Sequence, residues 1–372
     1  MASNLNIGFV ATAVEADGAS DRAAYRALFS DCEAAAELGF QSVWMIEHHF
    51  SDYFPTPAPL SLLGAISARW PQFELGTCVL VTPWYNALRL AEDIAQLASI
   101  TDAPLHLGMG RGTAKMEYDA LSVEMDEAQE RFSDIWEVIR TGLEGRPFRF
   151  EGRHVRMPKE VVLRPVLDPQ RRKTVHFYGA IGSPGTAERM ADLDLPPMCT
   201  TVGDMAAQKA TLNAWSDRRR ALGRADFGRR PIMINCIVAD TDEEAVREAQ
   251  RYIPRFMQAQ VDHYEADADN WRNLSTYPAW SQIFRRMKQR CDPAAIPDWA
   301  QWQLIGSPET VARRLQAYAD LGFDTFLLHT ATPGVPTEAR QRWLQRFAQD
   351  VRPYLGSTAA APATSGPGEP AC

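Results

Sequence analysis

Apolar, β-rich runs alternate with amphipathic helical segments along most of this chain of 372 residues. An alternation of this kind buries the strands in a parallel sheet and places the helices outside it. Strands are predicted at residues 7–11, 42–46, 75–81, 105–109, 175–179, 198–202, 232–239 and 325–329. Helices are predicted at residues 20–38, 59–69, 87–99, 124–142, 185–192, 204–222, 241–258 and 308–320. Eight strand and helix units predict a closed (β/α)8 TIM barrel of the α/β class rather than an open doubly wound sheet.

Two segments interrupt the alternation, and a third follows it. Residues 144–172 alternate around a Glu-Gly turn and predict a hairpin inserted after the fourth strand. Residues 259–303, before the eighth strand, hold many aromatics without helical periodicity, which predicts an excursion over the barrel mouth. These aromatics either line an apolar substrate cavity or pack the insertion onto the barrel. We expect residues 1–355 to form a single domain and residues 356–372, rich in Ala, Pro, Ser, Thr and Gly, to form a disordered tail.

Composition and charge narrow the classes of function. The formal net charge of -8 at pH 7 argues against a nucleic-acid binder, because phosphate contact needs clustered Lys and Arg. The amino terminus lacks the regions of a signal peptide, and no apolar run approaches the roughly 18 residues of a membrane span. We therefore expect a cytoplasmic protein without membrane contact. The six cysteines form neither a CxxC pair nor a cluster at zinc spacing, so no disulfide or structural metal is expected.

The second predicted strand, residues 42–46, ends in titratable groups. It runs directly into Glu47, His48 and His49, and active sites of parallel barrels collect at the carboxyl ends of the strands. An imidazole that titrates near neutrality suits a general acid or base. Strand alternation would turn His48 and His49 to opposite sides, so we expect one of them, His49, to be structural. A metal at this triplet is not expected, because no second ligand cluster follows it.

Two glycine-containing segments suit an anion. Residues 108–112 read GMGRG, so backbone can approach a ligand closely and Arg111 is available for a phosphate. Tight packing at a strand end would also select glycine. Residues 182–186 read GSPGT before a helix, where amides and hydroxyls form an anion site or Ser183 is an ordinary N-cap. The similar residues 306–310 are expected to be a cap only.

The order and spacing of these motifs resemble a known family. From about residue 5 to about residue 354, the chain resembles the bacterial luciferase-like flavin-dependent monooxygenases. The residues that carry the likeness are 38–40, 43–50, 76–77, 91–93, 107–112, 182–184, 238–245 and 306–311.

The resemblance implies a reaction and its partners. Such a barrel binds reduced FMN (FMNH2), which a separate NAD(P)H:flavin reductase supplies, and O2 is the co-substrate. A C4a-peroxyflavin then oxygenates an apolar organic small molecule. This chemistry needs a water-poor pocket, a group that manages a proton and an anion site for the phosphate. Family members commonly pair, so the resemblance also implies a homodimer.

Residue roles follow from the same resemblance. His48 matches the catalytic histidine, and Glu47 would orient it. The phosphate of FMN would meet Arg111 after the fourth strand. It would also meet Ser183 and Thr186, which follow Gly182 at a helix N-terminus.

Four further positions bear on the flavin site. Cys78 and Val79 fall where the family often has a non-proline cis peptide that supports the ring, although a plain buried core residue also explains Cys78. At Gly110 luciferases carry a reactive cysteine, so the resemblance implies oxygenation without light emission. Trp84 would wall the flavin or the substrate, or it would pack in the core.

Two other functions remain open. The first is a deazaflavin (F420)-dependent dehydrogenase on the same fold, which would transfer a hydride and ignore O2. The second is a non-catalytic flavin-binding subunit. Residues 47–49 favour the oxygen-using branch of the family, and the presence of His48, Arg111 and Ser183 together speaks against the non-catalytic subunit.

Overall fold

Eight parallel strands close into a barrel that helices surround, which confirms the predicted TIM-barrel fold. This computed structural model describes residues 5–201, 203–266 and 280–356. Val202 of the sixth predicted strand, Trp271 and Tyr277 of the aromatic segment, and residues 357–372 of the expected tail lie outside the described residues.

The barrel strands follow one another in the order of the chain. They are β1 (Asn6–Ala11), β2 (Ser42–Met45), β3 (Glu74–Val81), β4 (Leu105–Gly110), β7 (Val175–Ile181), β8 (Pro197–Thr200), β9 (Pro231–Val238) and β11 (Thr325–His329). β8 pairs with β9, β9 with β11 and β11 with β1, and these pairings complete the ring. The shorter strands are β5 (Phe148–Glu151), β6 (Arg156–Val161) and β10 (Leu304–Gly306).

Helices connect these strands along the described ranges. They are α1 (Asp21–Glu37), α2 (Pro59–Arg69), α3 (Ala87–Ile100), α4 (Lys115–Ala120), α5 (Ala128–Gly142), α6 (Pro169–Arg172), α7 (Pro184–Asp192), α8 (Met205–Ala221), α9 (Asp242–His263), α10 (Trp280–Gln289), α11 (Ile296–Ala300), α12 (Pro308–Asp320), α13 (Thr337–Arg346) and α14 (Arg352–Gly356). Six of the eight predicted helices begin and end within two residues of the predicted bounds, because side-chain caps such as Ser20, Asn86 and Ser307 mark helix starts.

Several elements depart from the prediction. Six helices, α4, α6, α10, α11, α13 and α14, were not predicted, and α5 begins at Ala128 rather than at residue 124. α9 runs to His263, five residues beyond the predicted end at residue 258, and therefore enters the segment that was expected to lack helical periodicity. The extra turn forms because Ala259, Val261 and His263 are buried against the barrel mouth. β10 was not predicted, because three residues are too few to show a strand period; it pairs with the second half of β9.

Barrel strands alternate between an outer and an inner face. Outer side chains such as Phe9 and Leu107 belong to the large hydrophobic cluster that the surrounding helices complete. Inner side chains such as Val10, Trp44 and Tyr178 belong to a second cluster inside the barrel. Successive residues of a barrel strand therefore point alternately outward, to the helices, and inward, to the barrel interior.

The amino end of the barrel is filled. The Trp44 ring lies across the interior, where Gly8 and Gly76 on the neighbouring strands leave it room, since a Cβ on either would collide with the ring. His106 stacks on Trp44 with ring centroids 5.6 Å apart and lies 2.9 Å from Glu74, the first residue of β3. These two buried rings therefore fill the interior of the barrel below the carboxyl ends of the strands.

The segment after α5 contains an antiparallel strand pair. β5 and β6 pair with Glu151 opposite Arg156, and the turn between them is held by the Asp134 carboxylate, which accepts from the His154 amide at 2.7 Å. This pair lies between barrel strands β4 and β7 in the chain, where the sequence predicted a hairpin.

Two general properties concern the described ranges as a whole. Their helices do not combine the length and the apolar composition that crossing a bilayer requires. The thiols of Cys32, Cys78, Cys199 and Cys236 are free, and the Cys291 thiol donates to the Met287 carbonyl.

Candidate active site

The buried Glu47 carboxylate ties the tip of β2 to the end of β3. Its Oε2 accepts from the Val81 amide at 2.8 Å, and its Oε1 accepts from the Tyr85 hydroxyl at 2.8 Å. His49 Nε2 lies 3.2 Å from the same Oε1. Burial raises the pKa of Glu47, and these hydrogen bonds oppose the rise. The Glu47 carboxylate therefore holds His49. The prediction that Glu47 orients His48 is wrong, because alternation at the strand tip turns the Glu47 and His48 side chains to opposite sides.

A different carboxylate holds His48. Glu117 on α4 is buried, and its Oε1 accepts from the His49 amide at 2.6 Å and lies 3.3 Å from His48 Nδ1. Burial raises the pKa of Glu117, but the contacts with His263 and His48 outweigh burial and lower the pKa to about 2. Glu117 is thus an anion at neutral pH. An anionic partner keeps the proton of neutral His48 on Nδ1 and leaves Nε2 as the basic nitrogen.

Aromatic rings surround His48. Its ring centroid lies 4.8 Å from that of Tyr53, 6.3 Å from that of Phe54 and 6.1 Å from that of Tyr264. Burial lowers the pKa of His48, and the hydrogen bond to Glu117 opposes this change. With 13% of its side chain exposed, His48 is a largely neutral imidazole at the edge of a cluster of aromatic rings.

His263, at the end of α9, completes a cluster with His48 and Glu117. Its Nδ1 lies 2.7 Å from the Ser51 hydroxyl, and its Nε2 lies 3.4 Å from Glu117 Oε1 without hydrogen-bond alignment. The ligand-type atoms of the three residues lie within 4.8 Å of one another. Such a set can share a proton or coordinate a divalent cation. The sequence showed no second ligand group beside residues 47–49, because the fold brings Glu117 and His263 from distant elements.

Trp84 covers the other side of His49. The two ring centroids lie 5.3 Å apart with an interplanar angle of 82°, and the His49 side chain is 14% exposed. The buried Trp84 Nε1 has no hydrogen-bond partner in the structure. His49 is therefore held on two sides, while an indole donor near it is available to a ligand.

The ends of β3 and β4 pack closely. The peptide bond between Cys78 and Val79 is cis, and both side chains are partly buried against the inner cluster. A Cβ on Gly110 would lie 2.6 Å from Val79 Cγ2 and 3.4 Å from the Ala180 Cβ. Packing between neighbouring strands thus accounts for this glycine. Its role beside a flavin stays a prediction.

Two guanidinium groups converge where β4 ends. Arg111 Nη1 lies 3.4 Å from one end of the Gln129 side-chain amide. Arg189 Nε and Nη1 lie 2.8 Å from the other end, where the amide oxygen belongs. Burial lowers the pKa of Arg189, and the charge of Arg111 lowers it further. Two like charges held this close form a site that suits an anion.

The α7 N-terminus lies at the next position of the barrel edge. β4 and β7 are neighbours with Met109 opposite Gly179, so Arg111 and Ser183 follow adjacent strands. Ser183 and Thr186 form a capping box, and the Thr186 hydroxyl also accepts from the Gly182 amide at 3.2 Å. A Cβ on Gly182 would meet nothing within 4 Å, so the space above this terminus is open. The donors present thus fit a phosphate, and ordinary capping explains the same residues.

A second N-terminus with the same sequence pattern is occupied by the protein itself. Ser307 caps α12, as the sequence predicted. The Asp242 carboxylate accepts from the Ser307 amide at 2.7 Å and from the Thr310 hydroxyl at 2.9 Å. An internal anion therefore fills the place that a phosphate would take.

The chain matches a known protein family along most of its length. Residues 5–325 match the model of the family described as "Luciferase-like monooxygenase". The uncharacterized protein y4vJ of Sinorhizobium fredii is 32% identical over 34% of this chain and 36% of its own length. The uncharacterized protein y4wF of the same organism is 27% identical over 42% of this chain and 46% of its own length. The chain thus spans less than half the length of either.

Two relatives that are named for an activity align over nearly the whole chain. An F420-dependent glucose-6-phosphate dehydrogenase of Nakamurella multipartita is 27% identical over 87% of this chain and 90% of its own length. The oxygenase component of a flavin-dependent trigonelline monooxygenase of Acinetobacter baylyi is 21% identical over 93% of this chain and 95% of its own.

Solved structures share the fold. Monooxygenase RslO1 from Streptomyces bottropensis superposes with a TM-score of 0.77 at 22% identity, over 94% of this chain and 99% of that one. The oxygenating constituent of 3,6-diketocamphane monooxygenase of Pseudomonas putida, in complex with FMN, gives 0.70 at 16% identity, over 94% and 98%. Because the family model covers most of the barrel and the fold agrees, this chain belongs to the luciferase-like monooxygenase family.

Proposed function

We propose that this chain is the oxygenase component of a two-component monooxygenase. It would use reduced FMN from a separate NAD(P)H:flavin reductase, together with O2, to oxygenate an apolar organic substrate. The observation that carries the proposal is the contact of His48 Nδ1 with the Glu117 anion, which leaves Nε2 as a base beside the rings of Tyr53 and Phe54. Relatives named as an oxygenase component and as an FMN complex support the class of reaction.

The flavin would be held at the carboxyl ends of β3, β4 and β7. Arg111 and Arg189 supply charged donors for its phosphate, and Ser183 and Thr186 lie at the adjacent helix N-terminus. Cys78, Val79 and Gly110 lie at the ends of the two strands beside them. Reduced FMN, when bound, supplies the two electrons that activate O2.

His48 manages the proton of the reaction. Its Nε2 accepts a proton when Nδ1 carries the other, and the Glu117 anion stabilises the doubly protonated ring that results. His263 contacts the same carboxylate oxygen, so charge on His48 is shared within the cluster.

The aromatic residues near His48 exclude water. Tyr53, Phe54 and Tyr264 are buried and contact its ring. Low water content favours oxygen transfer to an apolar substrate over side reactions with water. This environment suits an oxygenase and argues against a non-catalytic subunit.

An F420-dependent dehydrogenase is the second candidate. The relative from Nakamurella multipartita, named for that activity, is 27% identical over 87% of the chain, a higher identity than the trigonelline monooxygenase shows. The arginines and His48 would serve a deazaflavin as well as they serve FMN. The single-domain extent of residues 1–355, the homodimer and the cytoplasmic location also stay proposals.

The first experiment mixes the protein with FMNH2 under anaerobic conditions and then exposes it rapidly to O2 while the flavin absorbance spectrum is recorded. We expect flavin oxidation in more than one phase and more slowly than that of free FMNH2. Oxidation at the free-solution rate would contradict the proposal. In that case, a titration with F420 and an assay of hydride transfer test the second candidate.

A further inference from the structure

We infer that the barrel wall formed by β9, β10 and β11 binds the polar end of the organic substrate, and that this end is neutral and carries a hydrogen-bond donor beside an acceptor, as a lactam does. The inference rests on the proposed function in treating the bound molecule as the substrate. It deepens that function by naming a substrate class.

Strand parity turns two polar residues of this wall into the barrel. On β9, Ile234 and Cys236 belong to the outer cluster, whereas Ile237 belongs to the inner one, so Asn235 faces inward. On β11, Leu328 is outer, and His329 lies opposite Asn235 in the pairing of the two strands. In the ring of eight strands β9 lies directly across from β3, on which Cys78 and Val79 lie. The wall therefore faces the proposed flavin side.

The orientation of the Gln303 side-chain amide is fixed by its neighbours. Its Oε1 accepts from the Asn235 backbone amide at 3.1 Å and from the Thr201 hydroxyl at 2.9 Å. A backbone amide can only donate, so the atom that faces it must be the oxygen. Gln303 Nε2 therefore points elsewhere, and it has no partner in the structure although the residue is fully buried.

The orientation of the Asn235 side chain follows from that of Gln303. Its terminal atom 3.0 Å from Gln303 Oε1 must be a donor, which makes it Nδ2. The remaining Oδ1 is buried and has no partner. Two bonded amides thus leave one unpaired acceptor and one unpaired donor at the same wall.

His329 and Thr332 add to this unpaired set. The His329 Nε2 and the Thr332 hydroxyl are both buried without a partner in the structure. Burial lowers the pKa of His329 to about 4, so its ring is neutral at pH 7. Buried polar groups are normally satisfied by protein, by water or by a ligand. Four such atoms on neighbouring segments indicate a site that something fills.

The chemistry of the occupant follows from the wall. Its Asn, Gln, His and Thr side chains are neutral, which favours a neutral polar group over a phosphate or a carboxylate. Asn235 Oδ1 needs a donor, and Gln303 Nε2 needs an acceptor. Adjacent N–H and C=O groups satisfy both.

Phe54 connects this wall to the proposed catalytic residue. Its ring centroid lies 5.4 Å from that of His329 and 6.3 Å from that of His48. Phe256 packs on His329 as well, at 5.7 Å. Phe54 and Phe256 contact each other, with ring centroids 5.9 Å apart, so a flat apolar body would lie against this aromatic pair while its polar end reaches the wall.

Three small molecules of similar shape test the inference on the full chain. They are 2-quinolone, which has both N–H and C=O, 1-methyl-2-quinolone, which lacks the donor, and 2-methylquinoline, which lacks the lactam. Their dissociation constants are measured by isothermal titration calorimetry. We expect 2-quinolone to bind about tenfold or more tightly than either analogue. Equal binding of the three, or no binding of any, overturns the inference.

Gln303→Glu provides the matched variant. It keeps the oxygen that Asn235 and Thr201 require and replaces the unpaired donor with an acceptor. We expect this variant to lose the preference for 2-quinolone, while Gln316→Glu on exposed α12 keeps it. A Gln303→Glu protein that is folded by circular dichroism and retains the preference overturns the inference. If this variant does not fold, the binding of the three ligands to the parent protein still tests the inference.

The binding test and the flavin test fail separately. Binding of 2-quinolone with the expected preference, together with FMNH2 oxidation at the free-solution rate, would reject the proposed function and leave the binding wall in place. Multiphasic flavin oxidation without any preference among the three ligands would reject only the inference on the substrate.

Discussion

His48 and His49 are adjacent in the chain, yet different carboxylates hold them. Glu47, from the same strand tip, holds His49, and Glu117 from α4 holds His48. Sequence alternation predicted that the two rings would point apart, but it could not identify Glu117, because a Glu in a short helix carries no local mark of burial. At the residue scale, the chemistry of the proposed site thus depends on a partner distant in sequence.

His48→Gln and Arg111→Ala should fail in different ways. Replacing His48 removes the base, so we expect product formation to fall by about 10²-fold or more while FMN binding stays near that of the parent. Replacing Arg111 removes a charged phosphate donor, so the Kd for FMN should rise about tenfold. Flavin fluorescence titration and single-turnover product yield separate the two effects. Unchanged product yield in His48→Gln would remove His48 from the mechanism.

Glu117→Gln should move the pH dependence of turnover. The Glu117 anion raises the pKa of His48, so its loss should lower that pKa and shift the acid limb of the kcat profile to lower pH. The matched variant Glu47→Gln alters a carboxylate that contacts His49 and should leave the limb in place. An unshifted limb in Glu117→Gln, or equal shifts in both variants, would show that Glu117 acts only in packing.

At the scale of elements, two helix N-termini with the same pattern have different surroundings. Gly182-Ser183-Pro184 opens α7, and Gly306-Ser307-Pro308 opens α12; both serine side chains cap their helices. Only α12 receives the Asp242 carboxylate from the start of α9. Local sequence predicts the cap in both cases, whereas the packing of helices decides which terminus is open to an external anion.

Substitution of two glycines should change stability in opposite directions. Gly8→Ala places a Cβ against the Trp44 ring inside the barrel, so we expect the free energy of unfolding to fall by about 1–3 kcal/mol. Gly64 lies in α2, where a Cβ would meet nothing closer than 3.9 Å, so Gly64→Ala should raise the free energy of unfolding by up to about 1 kcal/mol. Urea unfolding measures both. A stable Gly8→Ala protein would mean that the Trp44 layer adapts easily.

At the scale of the whole molecule, the barrel buries a histidine that must stay neutral. Burial lowers the pKa of His329, near the mouth, to about 4. Unfolding returns this pKa to the ordinary value near 6.5. Between about pH 6.5 and pH 4, this histidine therefore binds more protons in the unfolded chain than in the folded barrel.

Stability should accordingly fall as the pH drops through this window. For His329 alone the loss between pH 7 and pH 5 is about 2 kcal/mol. His329→Gln removes this contribution, so its free energy of unfolding in urea should depend less on pH between 7 and 5 than that of the parent. Equal pH dependence in both proteins would contradict a buried neutral His329.

Sequence alone determined the fold, the bounds of the barrel strands and of six helices, and the position of the strand tip that carries Glu47, His48 and His49. These features rest on local rules: hydrophobic periodicity, side-chain caps and glycine at strand ends. Tertiary structure decided which groups meet. It placed Glu117 and His263 beside His48, extended α9 by burial of its last turn, and joined Asn235 to Gln303 across β9 and β10. Contacts between distant segments depend on how the whole barrel closes, and no local pattern records them.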